Sequence, residues 1–214
     1  MSGLRVVLAS NNAKKLQELQ ALLGSLAVQL VAQSALGVAE AEEPHATFLE
    51  NALAKARHAA AATGLAAIAD DSGLCVPRLG GAPGVVSAHY AGLVEPDADR
   101  EATRRRQDAA NNALLLHHMA AHPLPEDRRA RFVCTLVAVR SAHDPEPLVA
   151  FGRWEGQLLA EHRGTQGFGY DPLLFIPEQG CTVAELAPGK KNLISHRALA
   201  AAQMVALMRE AWAL

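Results

Sequence analysis

Residues 66–74, Ala-Ala-Ile-Ala-Asp-Asp-Ser-Gly-Leu, decide how the 214-residue chain is read. The run Ala66 to Ala69 is short and apolar, which is the make-up of a strand buried on both faces. Asp70-Asp71-Ser72-Gly73 then carries two adjacent carboxylates into what reads as a Ser-Gly turn at a strand end that meets solvent. Polar residues at the carboxyl end of such a strand lie where open α/β sheets hold their ligands. Side chains alternate along a strand, so Asp70 and Asp71 should point opposite ways, and only one can enter a given pocket. The other must be solvated, bonded to nearby backbone, or placed behind the first. The same four residues are also the composition of a plain turn.

Working outward toward the amino end, Thr47-Phe48-Leu49-Glu50 is a capping box opening an Ala-rich helix to about Ala62, with Gly64 as its stop. On this helix Glu50, Asn51 and Lys55 read as surface residues. Before it, Glu40, Glu42 and Glu43 crowd a loop; three acids there are a solvated loop or oxygen ligands for a hard cation. Val28 to Ala32 reads as a strand. Leu4 to Ala9 reads as the first strand, followed by Ser10-Asn11-Asn12-Ala13-Lys14-Lys15 and a helix with Leu16, Leu19, Leu22 and Leu23 on one face, closed by Gly24. Backbone N–H groups and the positive dipole end at such a junction favour an anion, and Lys14 and Lys15 add charge beside it. A capped helix with two solvated lysines has the same sequence.

Toward the carboxyl end, Gly80 to Gly84 reads as a loop and Asp97 to His118 as a helix whose Arg104-Arg105-Arg106 run is a solvated face. Arg131 to Arg140 and Leu148 to Trp154 read as an antiparallel pair of strands. Phe168 lies between Gly167 and Gly169, a poor place for a core aromatic and a good one for a ring that lies flat on a planar ligand. Leu173 to Ile176 reads as a strand, Thr182 to Glu185 as a second capping box, and Pro188-Gly189 as a turn. The last helix begins near Ser195, with Lys190, Lys191, His196 and Arg197 crowding its amino end, where the dipole disfavours cations.

Half the residues are apolar, a fifth are charged and the formal net charge is −2, so no global basic field argues for a nucleic-acid polymer. The chain has no apolar run long enough to span a membrane and no amino-terminal signal pattern. Cys75, Cys134 and Cys181 are far apart, form no metal-binding pair, and fit a reducing cytoplasm. No repeat or linker divides the chain, so residues 1–214 read as a single domain. Taken together, a phosphate-friendly junction with Lys15, an acidic group with Asp71, an aromatic platform at Phe168 and a basic cluster at Lys191, His196 and Arg197 describe a nucleoside triphosphate site.

The segments SNNAKK (10–15), TFLENALAKA (47–56), ADDSGL (69–74), GGAPGV (80–85), GFGYDP (167–172) and KNLISHRALA (191–200) resemble, in order, the inosine triphosphate pyrophosphatase family. The resemblance implies an α/β fold, an elongated mixed β-sheet flanked by helices, with two lobes and a central nucleotide cleft, usually as a homodimer. It implies hydrolysis of dITP, ITP and XTP to the monophosphate and pyrophosphate with Mg²⁺. On this resemblance the triphosphate loop is Ser10, Asn11, Asn12, Ala13, Lys14 and Lys15. Asp71 is general base and metal ligand, with Glu40 as second ligand or Glu43 in its stead. Ser72, Phe168, Gly169, Tyr170, Asp171, Lys191, His196 and Arg197 contact the nucleotide. The rivals are a house-cleaning pyrophosphatase for other modified nucleotides and a non-catalytic nucleotide sensor.

Overall fold

The structure, a computed structural model, describes residues 3–214. Seven strands form one mixed sheet: β1 Leu4–Leu8, β2 Val28–Ala32, β3 Ala66–Cys75, β4 Arg129–Val139, β5 Leu148–Leu158, β6 Leu174–Ile176 and β7 Cys181–Thr182, in the order β2-β1-β3-β4-β5-β6-β7. β1 runs parallel to β2 and β3, whereas β6 is antiparallel to β5 and β7. The helices are α1 Ala13–Leu22, α2 Phe48–Thr63, α3 Arg100–Met119, α4 Pro188–Ile194 and α5 His196–Trp212. None is long and apolar enough to cross a membrane.

Local signals account for the helix boundaries. Asn12 caps α1, Thr47 caps α2 and Ser195 caps α5, each accepting first-turn N–H groups with its side chain. Gly64 ends α2 in the left-handed region at φ 69°, where a side chain would be strained. Thr182 and Glu185 form the expected reciprocal capping box, although the helix it opens is a single 3-10 turn. Pro188-Gly189 does not form a turn: proline, whose missing N–H costs nothing at a helix start, opens α4.

The chain folds as two compact units. The first takes in the residues up to Ser72, Cys134–Arg153 and Ile194–Leu214, and the second Gly73–Val133 and Trp154–Leu193. In the first unit the sheet is covered on both faces. Val6, Leu8 and Ile68 pack with Leu19 and Leu23 of α1 and its following turn and with Ala200, Met204 and Met208 of α5. Val7, Ala67 and Ala69 pack with Ala52, Ala56, Ala59 and Ala60 of α2. The period of two along β1 and β3 therefore sorts residues between an α1/α5 face and an α2 face. In the second unit, Asn111 of α3 ties down the carbonyls of Ser87 and Ala88, and the ion pairs of the Arg104–Arg106 run are long surface ones, with Arg106 also donating to the Glu95 carbonyl at 2.7 Å.

The expected turn at Asp70-Asp71-Ser72-Gly73 is corrected. β3 continues through all four residues to Cys75, and Asp70 and Asp71 are buried at 1% and 5% exposure. β3 lies between β1 and β4 in the sheet, and both carboxylates find cations on neighbouring helices. Nothing then forces the chain out of the ladder.

Candidate active site

Asp70 and Asp71 take opposite sides, as the alternation requires. Asp70 continues the Ile68 row toward α1 and α5, and Asp71 continues the Ala69 row toward α2. Asp70 is enclosed by four donors. Its Oδ1 accepts from Lys15 Nζ and from Ser72 Oγ at 2.9 Å; its Oδ2 accepts from Arg197 Nε at 2.8 Å and the Cys134 thiol at 3.2 Å. Burial alone would raise this carboxyl, but the Arg197 and Lys15 charges outweigh burial and hold it well below the usual range. The same burial, with Asp70 beside it, pushes the Cys134 thiol up, so it serves as a hydrogen-bond donor and not as a nucleophile.

Asp71 meets Lys55 of α2. Lys55 Nζ lies 2.8 Å from Asp71 Oδ1 and 3.2 Å from Glu43 Oε2, so one ammonium bridges two carboxylates. Burial raises Asp71 most, Lys55 opposes it and Glu43 adds to it, leaving the group near 6. Asp71 Oδ2 is buried and accepts no hydrogen bond among the described residues. Glu43 is thus the acid brought beside Asp71. Glu40 is exposed and has no hydrogen bond or ion pair among the described residues. Asn51, buried on α2, fixes this acidic loop by bonding both the N–H and the carbonyl of His45.

A carboxylate that is buried, half satisfied and faced by a second carboxylate suits a hard divalent cation. Such an ion takes one or two carboxylates and leaves its other positions to water and phosphate oxygens. Among the described residues no group of three or more His, Cys, Asp or Glu side chains is arranged to hold a metal ion.

The 10–15 junction is in place, with one difference. Asn12 Oδ1 already accepts the N–H groups of Lys14 and Lys15, at 3.0 and 3.2 Å, and Ser10 Oγ accepts that of Asn12. The helix start is therefore internally capped, and the charges of Lys14 and Lys15 are what it adds for an anion. Asn11 and Ala13 complete the segment, Ala13 as the exposed first residue of α1.

Of the three residues expected to form a basic cluster, Lys191 belongs to α4 in the second unit, whereas His196 and Arg197 belong to α5 in the first. Arg197 is 2% exposed and directs Nε to Asp70 and Nη1 to Glu18, at 2.8 and 2.5 Å. His196 is buried beside it, its carbonyl close against Gly152, where a Cβ would come within 1.8 Å. The unfavourable placement of the Arg197 cation at a helix start is offset by Asp70 and Glu18.

In the second unit the Gly-Phe-Gly segment forms a braced loop. Gly167 has φ 80°, and a Cβ there would strike Asp171 Oδ2 at 1.9 Å, so both backbone and space demand glycine. Asp171 Oδ2 accepts the Phe168 N–H at 3.0 Å and Lys191 Nζ at 2.7 Å, and Lys191 Nζ stands 4.9 Å from the Phe168 ring centroid. From α3, Asp108 accepts the Gly169 N–H and Asn112 donates to its carbonyl, clamping that peptide from both sides. Phe168 and Gly169 are half-buried. Tyr170 is buried, its hydroxyl donating to the Ser87 carbonyl at 2.9 Å, and acts as the loop's anchor, not its platform.

Sequence reasoning missed Lys55, Asn51, Glu18, Asp108 and Asn112. For Lys55 a signal existed: it sits in the Ala52, Ala56, Ala59 stripe of α2, where a lysine must be paired to be tolerated. The others follow from contacts between distant segments.

A profile of the Ham1 family matches residues 6–207. The chain is 66% identical over 209 residues to a dITP/XTP pyrophosphatase of Methylibium petroleiphilum, covering 98% of this chain and 99% of that one. It is 68% identical over 212 residues to a dITP/XTP pyrophosphatase of Leptothrix cholodnii, again over 98% and 99%. The solved structure of a HAM1 protein from Coxiella burnetii matches with a TM-score of 0.86 at 43% identity, covering 97% of this chain and all of that one. The six ordered motifs that resemble the inosine triphosphate pyrophosphatases all lie inside the matched stretch, and the chain belongs to the Ham1 family.

Proposed function

We propose that this protein hydrolyses the non-canonical purine nucleotides dITP, ITP and XTP to the monophosphate and pyrophosphate, clearing them from the nucleotide pool. Relatives named dITP/XTP pyrophosphatase that match nearly end to end support the substrate class. The observation that carries the chemistry is Asp71, whose buried Oδ2 accepts no hydrogen bond among the described residues while Lys55 and Glu43 flank the same carboxyl. Such a group can hold a cation or accept a proton.

In this reading Asp71 and Glu43 would hold Mg²⁺, with Glu43 taking the place first given to Glu40. When bound there, magnesium neutralises phosphate oxygens and favours departure of pyrophosphate. Asp71 accepts the proton of a water that attacks the α-phosphorus as the bond to the bridging oxygen breaks. In the metal-free site burial raises the Asp71 carboxyl to about 6, toward the range useful to a general base. Lys15, with Lys14 and the Ser10–Ala13 segment, receives the triphosphate. Phe168, braced by Asp171 and Lys191, offers its ring to the purine, with Gly169 and Tyr170 shaping the loop. His196 and Arg197 supply donors for a 6-keto oxygen; Arg197 has five N–H donors and the bonds above use two. A 6-amino group would leave donors opposed, which disfavours ATP. A homodimer in the cytoplasm belongs to the same reading, and the three free thiols are consistent with a reducing compartment.

The test is pyrophosphate release from ITP, XTP, GTP and ATP, with magnesium and with EDTA. Turnover of ITP and XTP that needs the metal is expected. Asp71→Asn should still bind ITP and lose turnover, and full activity in that variant would reject the assignment. Binding without turnover in the wild type would point to a nucleotide sensor.

A further inference from the structure

Four charged side chains of the first unit close a ring. Lys15 and Glu18 lie one turn apart on α1; Lys15 bonds Asp70 of β3, Asp70 bonds Arg197 of α5, and Arg197 returns to Glu18. Asp70 and Arg197 are almost wholly enclosed, while the Lys15 and Glu18 side chains each keep 18% of their surface in solvent. We propose that Asp70 and Glu18 are positioning residues for Lys15, the ring serving to hold the Lys15 ammonium in place for a polyphosphate. This rests on the reading of Lys15 as a triphosphate contact.

The division of the Asp70 carboxylate carries the proposal. Oδ1 serves Lys15 and Ser72, and Oδ2 serves Arg197 and Cys134. A guanidinium facing a lone carboxylate prefers to bind both oxygens at once. Here it reaches Oδ2 by Nε alone, while Nη1 on the opposite edge of the guanidinium bonds Glu18 at 2.5 Å. Glu18 thereby holds the guanidinium in the orientation that leaves Oδ1 to Lys15 and Ser72. The ammonium has three N–H donors, so the bond to Asp70 leaves two for phosphate oxygens. A ring bought at the cost of burying charge beside the apolar Ile68 and Leu19 cluster is a poor route to stability alone, since apolar residues of like volume do as well or better. Its closure through the helix that carries Lys15 makes positioning the better account.

The experiment is a double-mutant cycle of Glu18→Gln and Lys15→Met, avoiding removal of the fully buried Asp70. Binding of ITP and of inorganic tripolyphosphate is measured by calorimetry in EDTA, with steady-state kinetics on ITP alongside. Glu18→Gln is expected to weaken both ligands and raise KM about tenfold with kcat within about twofold, and to add nothing once Lys15 is Met. Unchanged binding in Glu18→Gln, or a loss that multiplies with that of Lys15→Met, overturns the proposal; a purely structural role would lower the melting temperature and multiply. A wild-type protein that binds tripolyphosphate but releases no pyrophosphate from ITP refutes the proposed function and leaves the cycle decisive for the ring. Failure of the wild type to bind tripolyphosphate refutes the ring.

Discussion

Lys55→Met removes the cation between Asp71 and Glu43 while keeping most of the side chain's length and apolar stem. Breaking a buried ion pair from one side ordinarily costs about 3–5 kcal/mol. Here the cost is capped, because Asp71 can escape by taking a proton. Holding Asp71 fully protonated at pH 7 costs about 4 kcal/mol relative to an unfolded carboxyl at 3.8, and its position near 6 in the intact site already costs about 3. The difference leaves about 1–2 kcal/mol for the mutation at pH 7. The sign with pH follows from a raised folded pKa: the folded state binds more protons than the unfolded one between about 4 and 6, so Asp71 opposes folding increasingly as pH rises through 6. At pH 5 Asp71 is already protonated in the wild type, and the penalty of Lys55→Met should fall to near zero. Urea unfolding of both proteins in EDTA at pH 5 and pH 7 measures this directly. A penalty of the same size at both values, or none at pH 7, would refute the coupling between Lys55 and Asp71.

Two further outcomes test the frame around the site. Gly152→Ala drives a Cβ to within 1.8 Å of the His196 carbonyl, so α5 must shift at its start; a loss of about 3 kcal/mol in thermal or urea unfolding is expected, and wild-type stability would mean β5 and α5 are less tightly packed than described. Asp144 accepts four bonds from Arg140 and the Glu146 N–H, which lower it to about 2, so it stabilises the fold above pH 4 and loses that effect as pH falls toward 2. With Arg140 half exposed, Asp144→Ala should cost about 1–2 kcal/mol at pH 7 and about half as much at pH 3, read by denaturant titration; an equal cost at both would reject the ion pair as its source.

Signals that act over a few residues were legible in the sequence. The caps at Asn12, Thr47 and Ser195, the Gly64 stop and the strand at Val28–Ala32 all stand where local chemistry puts them, because each depends on neighbours within one turn or one pleat. The opposite facing of Asp70 and Asp71 was legible for the same reason. What each carboxylate meets was not. Lys15 lies 55 positions from Asp70 and Arg197 lies 127 positions from it, and no local pattern encodes which cation reaches which face.

The same limit explains the turn expected at Asp70-Asp71. Polar residues favour leaving a strand when their groups must find water, and only the packed helices supply the cations that let them stay. It also explains Lys191 and Arg197, which are neighbours in sequence but lie in different units with different carboxylates. The sequence by itself determined most of the elements, the caps that bound them and the residue types available for a triphosphate. Tertiary structure decided the pairing: Asp70 with Lys15 and Arg197, Asp71 with Lys55 and Glu43. Buried charge tolerates only a partner of opposite sign at contact distance, and contact between distant segments exists only once the chain has folded.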